Sequence, residues 1–257
     1  MAIASPGHIK NRGIRIAPAI RWFKRRGVLY LLTQAPMIAF IVGYLLDWTS
    51  FFVASLASFG ILLFALPRWV TYRRQRTRDP SDTAHKAGRF ALMALIPVAV
   101  YDFVRVPNFY LLDSPYWDRW FDFGHELTGA SATSWVALVT GTLVHYLQGW
   151  SLAYGYYVLF PRHVLLGSLT YLFLFLTFTY VVLFVRYAES ELTTSFVYKV
   201  AWDHFWMAIA AWGMARLVER EVRRPAVREA TGAYAAATLL ALSPFAFAFW
   251  QAASVIE

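Results

Sequence analysis

Asp122, His125 and Glu126 recur at i, i+3 and i+4, a spacing that puts two carboxylates and an imidazole on one face of a helix. A second grouping, Asp203 and His204, has Lys199 four residues before the aspartate. A third, Asp102 and Arg105, has i, i+3 spacing. Imidazole and carboxylate together suit copper, iron, zinc or manganese. His125 and His204 with one of Asp122, Glu126, Asp102 or Asp203 match a two-histidine, one-carboxylate composition by count. The same two histidines are also candidate axial ligands of a single b-type haem held between facing helices. Against a metal stand two local ion pairs, Lys199 with Asp203 and Arg105 with Asp102, which would neutralise both acids unaided. In that arrangement Asp102 and Arg105 orient neighbours or relay protons.

The remaining histidines offer less chemistry. His8 and His85 fall in basic polar stretches, and His163 follows Pro161 and Arg162. His145 is placed near the inner end of the fourth apolar segment, as a solvated or capping group; if buried, it becomes a candidate for a second cofactor or proton site. With no cysteine in the chain, disulfides, thiolate zinc, iron–sulfur ligation and a cysteine nucleophile are excluded. Ser131, Thr133 and Ser134 have no adjacent base and no nucleophile-elbow pattern, so they read as helix-packing hydroxyls. No phosphate-cradling or dinucleotide fingerprint is present.

These groups need elements to hold them, and the composition says which kind. The chain is 59% hydrophobic, 18% aromatic and 15% charged over 257 residues, against the roughly 25% charged that is typical of soluble domains. An all-α, polytopic membrane helix bundle is expected. Apolar windows fall at residues 28–46, 51–67, 90–107, 125–147, 163–185, 197–215 and 232–252, about seven spans of about 20 residues. A basic tail (1–27) precedes one transmembrane domain (28–257). With the tail inside, 20 of the 24 Lys and Arg lie on the inner side, leaving only Arg105, Arg119, Arg186 and Lys199 outside. The positive-inside rule then sets the N-terminus cytoplasmic and the C-terminus outside, in a bacterial inner membrane. The net charge of +9 is read as topology and anionic-lipid contact, with no nucleic-acid partner. The run from Arg73 to Arg78 reads as a headgroup anchor, and Asp79, Pro80, Ser81 and Asp82 as a helix break.

Ten of the fifteen acids fall on the outer side, so that face either is simply solvated or attracts a basic soluble partner. Pro36, Pro97 and Pro244 are candidate kinks, and Gly129, Gly141 and Gly155 candidate points of close helix approach. The first functional reading is a membrane-embedded subunit of a redox or energy-converting complex, with an outer-face site on spans three, four and six. His125 and His204 would be the ligands there, and Asp122, Glu126 and Asp203 ligands or their support. The alternatives are a non-catalytic scaffold or assembly subunit that binds other membrane subunits and lipids, and an ion or proton transporter built on Asp102, Glu126 and Asp203.

Overall fold

The structure, a computed structural model, describes residues 26–47, 49–77, 83–107, 118–160, 164–186 and 194–223, with Ala246, Trp250, Ser254 and Ile256 singly. All regular structure among them is helical. The tail to residue 25, His8, His163, the segment 78–82 and nearly all of the expected seventh span, Pro244 included, lie outside the described residues, as do the side chains of His85 and Lys199.

The first apolar segment is a bent rod, α1 (Val28–Thr33) and α2 (Ala35–Ala39), continued by a wider π-type turn over Phe40–Leu45. Pro36 stands in the first turn of α2, where its missing N–H and its ring oppose an unbroken helix, and the chain opens at Gln34. The opened turn is held across the bundle. Gln34 Nε2 donates to Ser151 O at 2.6 Å, and Ser151 Oγ donates to Thr33 O at 2.6 Å. Asp47, with φ 54°, turns the chain into α3 (Phe51–Gly60), and Gly43 lies against Phe51 and Ala54, as an antiparallel hairpin requires.

From Phe51 the helix is continuous to Arg76, through a π-type stretch at Ile61–Ala65 into α4 (Leu66–Arg76). The expected inner loop after residue 67 is therefore largely helix. Of the described helices this 26-residue rod alone is long and apolar enough to cross a membrane; Ala35–Leu45 and Leu165–Phe178 are apolar but shorter. The third segment is α5 (Thr83–Met93) and α6 (Leu95–Phe103), divided at Ala94, three residues before Pro97.

The fourth segment departs most from expectation. In place of one span over 125–147 there is a helical hairpin, α7 (Asp118–Thr128) and α8 (Trp135–Leu159). Gly129 makes the break with φ +66°, and Ser134 caps α8 by accepting from Ala137 N at 3.2 Å. Ser134 is thus a cap, and Ser131 and Thr133 are turn residues, where packing hydroxyls were expected. The two arms lie back to back: a Cβ on Gly124 would strike the Ala137 backbone, and one on Gly141 the Trp120 carbonyl. Gly155 likewise admits Tyr171 and Gln34, while Gly129 has open space around it and serves the turn.

Two long helices follow, α9 (Leu165–Arg186) and α10 (Thr194–Arg223), covering the fifth and sixth segments and extending the sixth at both ends. The largest core cluster joins α1, α5, α8, α9 and α10 through Leu29, Phe90, Tyr154, Leu172 and Met207. Phe90 and Tyr157 stack at 4.3 Å, and Tyr154 donates to Ala87 O at 2.7 Å. The outer surface is apolar as well. Leu63, Phe64, Leu166 and Leu174 are each at least 65% exposed, and Phe52, Leu56, Phe103 and Leu143 are more than half exposed.

Candidate functional site

Within this apolar shell two fully buried aspartates and a largely buried histidine come together from three helices. α6 brings Asp102 to the face of α8 because the two run antiparallel: Trp150 Nε1 donates to Ala91 O at 2.8 Å, and one turn or more beyond Pro97 Asp102 arrives beside His145. His145 Nε2 and Asp102 Oδ1 are 3.1 Å apart. α10 contributes Asp203, whose Oδ2 accepts from Arg105 Nε at 2.6 Å. Asp102 and Asp203 are 0% and 1% exposed. The Arg105 guanidinium also lies over the Tyr101 ring, 4.6 Å from its centroid, and the His204 ring meets the same tyrosine edge-on at 4.8 Å. The Trp120 ring of α7 closes the site, 5.6 Å from His145.

This arrangement corrects one ion pair read from the sequence. Arg105 donates to Asp203 across helices, where a local bond to Asp102 was expected; towards Asp102 its backbone N–H donates to the carbonyl oxygen at 3.1 Å. The other expected pair, Lys199 with Asp203, lies outside the described residues because the Lys199 side chain does. The physical reason is burial. A local i, i+3 or i, i+4 pair leaves both partners on one helix, whereas Arg105 reaching across to α10 brings a countercharge to a carboxylate that packing has buried.

His145 is likewise corrected. It is the eleventh residue of α8, about 15 Å from the first residue of that 25-residue helix, and the side chain is 14% exposed. Moving the helix start from residue 125 to residue 135 turns an expected inner-end histidine into a central one. It also sets Asp102, the hydrogen-bond neighbour of His145, level with the middle of α8. The turn signature Gly129, Ala130, Ser131, Ala132, Thr133, Ser134 is visible in the sequence, and weighing it as a break would have placed His145 correctly.

The Asp122, His125, Glu126 grouping has the predicted helical spacing but faces outward. α7 buries Trp120, Phe121, Phe123 and Leu127, with the Phe123 ring against Phe40, Tyr44 and Phe51, and leaves His125 and Glu126 exposed. His125 Nδ1 lies 2.7 Å from Ala130 O in the hairpin turn, and Asp122 is 3.5 Å from Arg119. Burial at the start of α7 pushes the Asp118 carboxyl above its ordinary range, helped by the negative charge of Asp122 and opposed by Arg119. Gly124 against Ala137 sets His125 beside the first turn of α8, whereas His204 shares Tyr101 with the level of His145. About ten residues of α8, or about 15 Å, separate those levels. Among the described residues no three His, Asp or Glu side chains gather as a metal ion would require.

What the core cluster can do follows from its charges and its spare acceptors. Asp102 Oδ2 and Asp203 Oδ1 are buried with no hydrogen-bond partner among the described residues. An ionised carboxylate is costly in such surroundings unless every lone pair is met. Two acids and one arginine leave one negative charge over, which a proton on His145 or on either carboxyl cancels.

No family model, no curated protein and no solved structure matches this chain.

Proposed function

We propose that this chain is a seven-span inner-membrane protein with a cytoplasmic N-terminus, serving as a membrane-embedded subunit of an energy-converting complex, and that its buried cluster transfers protons. The observation that carries the reading is the pairing of Asp102 with His145 and of Arg105 with Asp203 inside a bundle whose outside is apolar. That distribution inverts the soluble pattern, and intramembrane ionisable groups ordinarily mark ion and proton pathways. His145 and Asp102 would pass the proton between them, and Arg105 would hold Asp203 in place as its hydrogen-bonded partner. His204 and Tyr101 line the approach from α10. The lipid bilayer and other membrane subunits are the partners this reading requires; nucleic acid has no place in it.

Reconstitution tests it directly. Proteoliposomes of the purified chain, under a potassium diffusion potential and with a pH dye inside, should acidify faster than protein-free vesicles. Asp102→Asn should remove at least about tenfold of that excess, in keeping with the loss of a positioned acid–base group. Wild-type flux equal to that of empty vesicles across neutral and mildly acidic pH would sink the reading.

The exposed polar face of α7, with Asp118, Asp122, His125 and Glu126, favours a second reading, a scaffold subunit that offers this acidic surface to a basic soluble partner. In that case Asp102→Asn leaves flux unchanged, while replacing the α7 acids by their amides releases the partner. The redox form of the energy-converting proposal, with a metal or haem on His125 and His204, predicts a stoichiometric metal or an optical band that is lost in the His125→Ala, His204→Ala variant.

A further inference from the structure

Each buried aspartate of the core cluster turns one carboxylate oxygen to a base and keeps the other. Asp102 Oδ1 lies 3.1 Å from His145 Nε2, and Asp203 Oδ2 accepts from Arg105 Nε at 2.6 Å. Asp102 Oδ2 and Asp203 Oδ1 are closed off from the surface, and no donor among the described residues reaches them. A carboxylate oxygen held in that way carries the full desolvation cost of its lone pairs until a donor meets it.

The two oxygens belong to one level of the bundle. The neighbours of Asp102 on α6 both touch α10: Arg105 pairs with Asp203, and the Tyr101 ring meets the His204 ring edge-on at 4.8 Å. The Arg105 backbone N–H donates to the Asp102 carbonyl at 3.1 Å, which sets the spacing of those two residues along the chain. His145 joins the same level from α8, its ring 5.8 Å from that of Tyr101. Asp203 stands within electrostatic reach of both Asp102 and His145. The two unmet acceptors are therefore neighbours contributed by two helices.

We propose that one internal water molecule bridges Asp102 Oδ2 and Asp203 Oδ1, donating one O–H to each. Two acceptors without a donor require a ligand that has two donors and no negative charge, and water is the smallest with both properties. An anion would bring charge of the wrong sign, and among the described residues the carboxylates and imidazoles are not gathered as a metal ion requires. Buried waters make about three hydrogen bonds each, chiefly to polar groups that the protein itself leaves unmet. The bridge joins the two cross-helix pairs into one line, from His145 through Asp102 and the water to Asp203 and Arg105. It needs only this buried geometry, whether or not protons travel along it.

A crystal or cryo-EM map of the full chain, at a resolution that shows ordered water, tests it. A peak should stand about 2.5–3.0 Å from both oxygens, which then lie about 4–5.5 Å apart. A protein donor against either oxygen, the two oxygens in direct contact over one shared proton, a gap too wide for one water, or no peak at bridging distance would each overturn the proposal. In the Arg105→Met, Asp203→Leu variant the peak should be lost, because a single remaining acceptor does not hold a water among apolar groups. A peak retained there would show that other groups hold it, and would overturn the bridge as well. Proteoliposome flux is read separately: the water without flux leaves the bridge standing and removes the proton-transfer reading, and flux without the water does the reverse.

Discussion

On the outward side of α7, Asp122, His125 and Glu126 carry the same functional groups as Asp102, His145 and Asp203 in the core, and the two sets belong to adjoining helices. The first set has the neater spacing in sequence, i, i+3, i+4 on one helix. The second is scattered over 43 residues between Asp102 and His145 and 98 between Arg105 and Asp203. Yet the scattered set is the one taken out of solvent and paired across helices. Regular spacing puts side chains on one face but does not say whether that face meets the core. Burial supplies the strength: the same charge pair that is worth little beside water becomes costly to break once desolvated.

The sharpest way to break this contrast is Arg105→Met. It leaves Asp203, 1% exposed, without its cation, and should cost about 3–5 kcal/mol in thermal or denaturant unfolding of the detergent-solubilised protein. Adding Asp203→Leu should restore most of that loss; a double variant as unstable as the single one would show that packing, and not charge, sets the cost. Next comes Gly141→Leu. With the Trp120 backbone directly opposite, the added side chain should separate α7 from α8 at about 1–3 kcal/mol or more, and the same measurement reports it.

His145→Gln keeps a hydrogen-bonding side chain but removes the ring to which the proposal assigns the transferred proton. It should cost about 1–3 kcal/mol at most and abolish the pH dependence of flux, so a retained flux–pH profile would move the exchangeable proton elsewhere. The exposed set should respond least. Asp122→Ala, His125→Ala and Glu126→Ala together are expected to shift stability by no more than about 0.5 kcal/mol each, and a large loss would show that α7 is covered in the native assembly. Asp118 gives the smallest signal, with a definite sign. Its carboxyl sits above the ordinary range in the folded chain, so the folded state binds the proton more tightly and loses stability as pH rises through that shifted range. Asp118→Asn should therefore stabilise slightly at neutral pH and not below the ordinary carboxylate range.

The hairpin of α7 and α8 shows where sequence reading stopped. Apolar windows locate helices by average hydropathy, and the stretch 125–147 averages out as one span although Gly129 divides it. The short Asp47 turn was legible because only four residues, Asp47 to Ser50, separate two apolar runs and leave little but a hairpin. The kinks at Pro36 and Pro97 were legible for a local reason, the absent N–H. The pairing of Arg105 with Asp203 was not, since a sequence offers each acid its nearest cation along the chain, and helices exchange partners when they pack.

By itself the sequence determined the helical class, the apolar segments, the grouping of cations into a few stretches of the chain and the absence of thiol chemistry, because composition and hydrophobic run length act locally or additively. Which acids meet which bases, that His145 is central, and that the tidy triad on α7 looks outward were decided by tertiary structure alone. Those facts depend on the angle and depth at which α6, α8 and α10 pack, and a shift of one helix start by ten residues moves a side chain about 15 Å along the bundle.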